Sequence, residues 1–137
     1  TVVTNNLNVA NILADSDSCE VIVAGGVLRR ADGGLVGDLT KEAIETFKVD
    51  FAVIGTSALD RDGDLLDFDS QEVRVSRAII RQARRSFLVA DHSKLARTAP
   101  VRIASLSEVD ALFTDLPLPD ALAARCREWG TGIVVAS

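Results

Sequence analysis

Six short runs of β-branched and aliphatic residues punctuate the chain: TVV at 1–3, VIVA at 21–24, FAVI at 51–54, FLVA at 87–90, ALF at 111–113 and IVVA at 133–136. Runs this short and this free of polar residues predict strands covered on both faces, as in a parallel sheet held between helices. Helical periodicity fills the intervals. Leu7, Ala10, Leu13 and Ala14 keep one face after Asn5 or Asn6, and Leu39, Ala43, Ile44 and Phe47 keep one after Asp38 as a cap. Strand and helix alternate, which is the α/β signature.

A third helix is predicted over about 70–85. Val75, Ile79, Ile80 and Ala83 fill one arc, Arg74, Arg77, Arg81, Arg84 and Arg85 fill the next, and Glu72 falls within the apolar arc in the first turn. The arginine stripe reads as a solvated face, with a subunit contact or an electrostatic rim for an anion as the alternative. A last helix, about 120–129, follows DLPLPD, whose two prolines stop regular structure.

At 137 residues, 47% hydrophobic and 26% charged, the chain suits one compact unit with one core. No apolar run approaches the roughly 20 residues of a membrane span. Two cysteines, Cys19 and Cys126, are too few for a disulfide framework, and no signal stretch opens the sequence, so a cytoplasmic location is expected. A net charge of −5 gives the chain no positive field for a nucleic-acid backbone. The sequence starts without methionine on TVVTNN, which reads as a strand entering a turn, and a fragment of a longer protein is expected.

The stretch VADHSKLAR, 89–97, holds an acid, the single histidine, a serine and a lysine. Asp91, His92 and Ser93 are consecutive, whereas a catalytic triad needs base and nucleophile converging, and no G-x-S-x-G elbow is present. His92 reads as a surface or packing residue. Lys94 stands just past the carboxyl end of a predicted parallel strand, the edge where open α/β sheets place ligands. It is either a ligand-binding group or a solvated turn lysine beside an Asp91 or Ser93 cap.

The same edge gathers Thr4, Asn5 and Asn6, then Gly25 and Gly26, then Gly55, Thr56 and Ser57. Glycines admit close approach, hydroxyls and amides bind oxygens, and a helix start favours an anion. Such residues at several strand ends favour an anion or sugar pocket. Glu72 joins that pocket if its helix begins at this edge; otherwise it forms a capping box with Asp69. One histidine and two distant cysteines give no metal-ligand spacing.

The succession TNNLNVA, VIVAGGVLRR, LVGD, VDFAVIGTSALD, EVRVSRAII, VADHSK and VDALFTD resembles the effector-sensing domain of DeoR-type bacterial transcriptional repressors, from Thr1 to about Asp115. Within that family, DFDSQEVRVSRAII and VADHSK are most similar to members governing glycerol 3-phosphate metabolism. Ser76 stands where many other members carry lysine. The resemblance implies a Rossmann-like, mostly parallel sheet flanked by helices, as in ribose phosphate isomerases and CoA transferases. It implies a homo-oligomer that binds a small phosphorylated metabolite without a further cofactor and meets operator DNA through an N-terminal winged helix-turn-helix. The implied effector-binding residues are Thr4, Asn5, Asn6, Gly25, Gly26, Gly55, Thr56, Ser57, Glu72, Asp91, Ser93 and Lys94, with Lys94 neutralising a phosphate or holding a sugar oxygen.

Two departures stand out. The family's helix-turn-helix and the preceding strand with its GTT loop are not among these residues, so a pocket short of a wall and an exposed sheet edge are expected here. The related isomerases share an ADxSK element and a glutamate in the equivalent helix, but where they resemble DGADE this chain has IGTSA. Ile54 and Ser57 replace the acids that proton transfer needs, so binding without turnover is expected. A ligand-free oligomerisation domain is the remaining alternative.

Overall fold

A computed structural model describes residues 1–136. Strand β1 (Val2–Thr4) leads into helix α1 (Leu7–Leu13), which Asn6 caps by accepting from the Asn8 and Val9 N–H groups. Strand β2 (Val21–Val23) pairs parallel with β1, and a small antiparallel hairpin, β3 (Val27–Leu28) and β4 (Leu35–Val36), precedes helix α2 (Asp38–Glu45). Its N-cap is Gly37, at φ 109°, and not Asp38, which sits in the first turn where an acid meets the positive end of the helix. Strand β5 (Val49–Ile54) follows, and then β6 (Ala58–Leu59) and β7 (Asp64–Asp67).

Helix α3 (Ser70–Gln82) starts on Asp69, whose carboxylate takes the Gln71 and Glu72 N–H groups. It ends three residues earlier than its arginine periodicity suggests. Ala83 is already extended, at φ −99° and ψ 143°, and opens strand β8 (Ala83–Val89). Arg84 and Arg85 therefore belong to the strand, Arg84 pairing with Asp50 at 3.2 Å, and only Arg74, Arg77 and Arg81 remain on the helix. A short 3₁₀ turn (His92–Ala96), strand β9 (Val101–Ser105), a second such turn (Leu106–Glu108) and strand β10 (Ala111–Thr114) come next. Helix α4 (Asp120–Trp129) closes on Gly130, left-handed at φ 77°, and the chain enters β11 (Gly132–Val135).

Four strands form a parallel sheet in the order β11-β10-β8-β5, flanked by helices in a Rossmann-like α/β arrangement. Pairing of Ile54 with Leu88, Val89 with Phe113 and Thr114 with Val135 brings the carboxyl ends of all four to one edge. Strands β1 and β2 form a separate parallel pair, so β1 and β5 each end a sheet. A further sheet, the antiparallel β6-β7-β9, was not predicted from the sequence.

The core lies on one face of the four-stranded sheet. Ile54, Leu88 and Leu112 pack there with Val73 of α3, Leu122 and Cys126 of α4, and Leu65 and Ile103 of the antiparallel sheet. Leu88 and Leu65 are fully buried, and each such side chain contributes about 1.5–3 kcal/mol by leaving water. A second cluster joins Ala24, just after β2, to Ile44 of α2 and to Val75 and Ala78 of α3. The expectation of cover on both faces is not met among the described residues. Alternate residues of the same strands, Phe51, Val53, Val89, Phe113 and Val134, are exposed, at 61% and 67% for the first two. The Phe51, Phe87 and Phe113 rings form a row across that face, stacked at 5.7 Å and edge-to-face at 5.5 Å. Both faces are apolar, which hides the period-two alternation of a one-sided sheet.

Candidate functional site

The turn after β5 is built by a hydroxyl. Thr56 is buried, and its Oγ1 lies 2.8 Å from the Ala58 carbonyl and 2.9 Å from that of Leu66, so one side chain ties the turn to the β6–β7 hairpin. Next to it the Ser57 N–H donates to the Leu66 carbonyl at 3.1 Å, and the Ser57 hydroxyl donates to Asp67 Oδ1 at 3.0 Å. That same oxygen takes the Phe68 N–H at 2.7 Å. Gly55, ahead of them, has no atom within 4 Å of where a Cβ would stand, leaving the backbone open on that side.

Helix α3 brings the second acid. Asp69 caps the helix at 2.7 Å from the Gln71 nitrogen and 3.3 Å from that of Glu72. The capping-box alternative is thereby half realised, because the Glu72 carboxylate is ion-paired with Arg29 from the β3–β4 hairpin. That pairing is the one partner of the buried Arg29 Nη1 among the described residues. The Arg29 Nε also lies 3.8 Å from Asp69, so the guanidinium bridges the cap and the first turn.

Of these groups, Gly55, Thr56, Ser57, Asp67 and Glu72 line a cleft of about 260 Å³. Five of the twelve expected effector-binding residues line it: Asn5, Gly55, Thr56, Ser57 and Glu72. Asn5 comes from the end of β1 and the next three from the end of β5, so the cleft joins the two sheets at their carboxyl edges. Val53, Ile54, Asp67, Ser76 and Ile79 complete it. Its charged lining residues are both acids, and no lysine or arginine lines it among the described residues.

The other seven expected residues lie outside this lining. Thr4 Oγ1 accepts the Asn6 N–H at 3.1 Å, and Asn6 is occupied as the α1 cap, with its Nδ2 donating to the Asp32 carbonyl at 3.1 Å. The Gly25 carbonyl takes the Thr40 hydroxyl, and Gly26 sits at φ 138° with the Val36 carbonyl oxygen only 2.8 Å from where a Cβ would stand. Asp91 caps the 92–96 turn by accepting the Ser93 N–H at 2.8 Å and the Ser93 hydroxyl. Those two bonds, the hydroxyl first, hold its carboxyl below the usual value. Lys94 is half-buried in that turn and makes no ion pair among the described residues.

His92 has a definite partner. Its N–H donates to Asp115 Oδ1 at 2.8 Å and its Nδ1 lies 2.7 Å from Asp115 Oδ2, linking the ends of β8 and β10. The hydrogen bond to Asp115, reinforced by its charge, raises the imidazole pKa above its ordinary value, and the same bond lowers that of Asp115. Both are exposed at the strand-end edge. No group of three or more His, Cys, Asp or Glu suited to a metal occurs among the described residues, and none of the described helices is long and apolar enough to cross a membrane.

Arg29 and Asp67 are the site residues that sequence reasoning missed. Arg29 is 43 positions from Glu72 by their residue numbers, and only the tertiary fold joins them. Asp67 lies in DFDS, where the neighbouring Asp69 carries the recognisable cap signal.

The family model of the DeoR C terminal sensor domain matches residues 1–116. The glycerol-3-phosphate regulon repressor of Escherichia coli strain K12 is 51% identical over 118 residues, covering 86% of this chain and 47% of that protein. The repressor of the same name from Haemophilus influenzae is 46% identical over 136 residues, 99% of this chain and 52% of that protein. The HTH-type transcriptional repressor CsqR of Escherichia coli is 38% identical over 127 residues, 93% of this chain and 49% of that protein. The chain thus spans about half the length of the curated relatives it matches. With a sensor-domain match over most of its length, the chain belongs to the DeoR family of transcriptional regulators.

Proposed function

We propose that this domain senses glycerol 3-phosphate for a bacterial repressor of glycerol and glycerol-phosphate genes, and that the cleft between the ends of β1 and β5 receives the effector. The carrying observation is convergence: Asn5, Gly55, Thr56, Ser57 and Glu72, from three separate elements, line one cleft at the carboxyl edge of parallel strands. The names of the relatives from Escherichia coli and Haemophilus influenzae support the choice of effector. The open backbone at Gly55 suits a phosphate, and Lys94, on the same strand-end edge, completes its neutralisation.

The rest of the reading concerns the whole protein. Operator DNA is met by an N-terminal winged helix-turn-helix outside these residues, consistent with the net charge of −5 here. A further strand ahead of Thr1, paired between the edges of β1 and β5, would supply the remaining wall of the cleft. The protein works as a homo-oligomer in the cytoplasm, since paired reading heads match palindromic half-sites. Effector binding shifts the population between forms of different DNA affinity, within the limit set by its differential affinity for them. The domain binds without turnover, as Ile54 is buried and apolar at the strand end where an isomerase of this resemblance carries an acid.

Calorimetric titration of the full-length protein with glycerol 3-phosphate, fructose 1-phosphate and ribose 5-phosphate tests this. Saturable binding of glycerol 3-phosphate alone is expected. Lys94→Ala should weaken it at least tenfold with an unchanged melting temperature, the loss of one charge-assisted contact. Binding only of another ester would discard the effector, no binding at millimolar concentration would discard the sensor reading, and unchanged affinity would remove Lys94 from the site. Conversion of ribose 5-phosphate would bring back the isomerase.

A further inference from the structure

We propose that Asp67 reads the hydroxyl groups of the effector, so that the ester enters with its hydroxyl-bearing carbons inward and its phosphate at the rim, and that esters bearing a second acid are refused. This rests on the reading of the cleft as the effector site.

The inference starts from one atom. Asp67 is 9% exposed and lines the cleft, and both bonds it accepts, from the Phe68 N–H at 2.7 Å and the Ser57 hydroxyl at 3.0 Å, go to Oδ1. Oδ2 accepts no hydrogen bond among the described residues. Oδ2 is not among the buried unpartnered atoms, so it opens onto the cleft, where a ligand hydroxyl can take the place of water as its donor.

The surrounding charges decide which ligands fit. The Glu72 carboxylate is neutralised by Arg29, so the uncompensated charge on the lining is that of Asp67. Asn5 uses its Nδ2 on the Leu35 carbonyl at 3.0 Å, and its side-chain oxygen accepts no hydrogen bond among the described residues, a second free acceptor on the lining. Two free acceptors, one of them an anion, with no cation among the described lining residues, favour two hydroxyl donors and repel a carboxylate or a second phosphate. Val53 and Ile79 add apolar lining suited to the carbon frame. On the reading of the cleft as a phosphate-ester site, the ligand is one with two free hydroxyls and no charge besides the phosphate.

The test is calorimetry on the full-length protein with three esters of nearly equal size. Glycerol 3-phosphate keeps both hydroxyls, 3-hydroxypropyl phosphate lacks the central one, and 3-phosphoglycerate has a carboxylate in place of the terminal one. Wild-type protein should prefer glycerol 3-phosphate at least tenfold over each of the others, the scale of one lost hydrogen bond to a charged group. Asp67→Asn keeps an oxygen for Phe68 and Ser57 but replaces the free acceptor by a donor. It should hold its melting temperature, bind glycerol 3-phosphate at least tenfold more weakly, and narrow the gap to 3-phosphoglycerate. Wild-type binding that treats the three esters alike would overturn the proposal without any variant, as would an Asp67→Asn protein that binds glycerol 3-phosphate within twofold of wild type. Absence of binding by all three esters to wild-type protein would instead overturn the effector reading beneath it, and the proposal with it.

Discussion

Gly25 and Gly26 stand side by side after β2, yet their surroundings differ. Gly26 adopts φ 138°, and a methyl group there would stand 2.8 Å from the Val36 carbonyl and collide with the Thr40 side chain, whereas nothing lies within 4 Å of the corresponding position on Gly25. Gly26→Ala should therefore cost about 2 kcal/mol or more in urea unfolding, through backbone strain and overpacking together. Gly25→Ala should stay within about 0.5 kcal/mol, as substitutions without such a constraint do. Equal losses at the two sites would contradict this division. Residue by residue, what was legible in the sequence was local chemistry: a cap at Asn5 or Asn6, which falls on Asn6, the Asp69 cap, and a cap at Asp91 or Ser93, which falls on Asp91. The partners of Glu72 and Asp67 were not, because Arg29 and Ser57 reach them only through hairpins whose pairing no short-range pattern announces.

At the scale of elements, the long apolar strands and the start of α3 follow from period and capping, while its end does not. Arginines continue in helical spacing to Arg85, but Ser86, Phe87 and Leu88 are wanted in the sheet beside Ala52, Val53 and Ile54, and this pairing claims the chain from Ala83 onward. Tertiary pairing outweighs a weak helical preference at the boundary. The two-residue strands β3, β4 and β6 are too short to show any period. Elements are also joined by ions. His92 and Asp115 link the turn after β8 to the end of β10. Since the His92 pKa is raised in the folded protein, its share of this link is complete below the ordinary histidine value and disappears as pH rises through the raised one. The Asp115 pKa is lowered, so its share holds above the ordinary carboxylate value and disappears as pH falls through the lowered one. As the chain has a single histidine, NMR titration reads it without overlap. Asp115→Asn should bring the His92 pKa down toward about 6.5. A titration curve that does not move would show that Asp115 does not set it.

For the whole molecule, the α/β class and the gathering of strand ends at one edge were legible because parallel strands must place their carboxyl ends together once helices connect them. The one-sided packing was not. Phe51, Val53, Val89, Phe113 and Val134 form an apolar face, and the β1 and β5 edges are unpaired among the described residues, features that in a stable protein meet another surface. They accord with the proposed upstream strand and with self-association. The proposed coupling joins the cleft to DNA read elsewhere in the protein, so its most direct test watches both at once. Full-length protein bound to fluorescent operator DNA would be titrated with glycerol 3-phosphate while anisotropy is followed. Release of the DNA over the concentration range in which calorimetry shows the site filling is the predicted result. DNA that stays bound with equal affinity after the site is saturated would contradict the account, since a ligand with no preference between the two forms shifts neither.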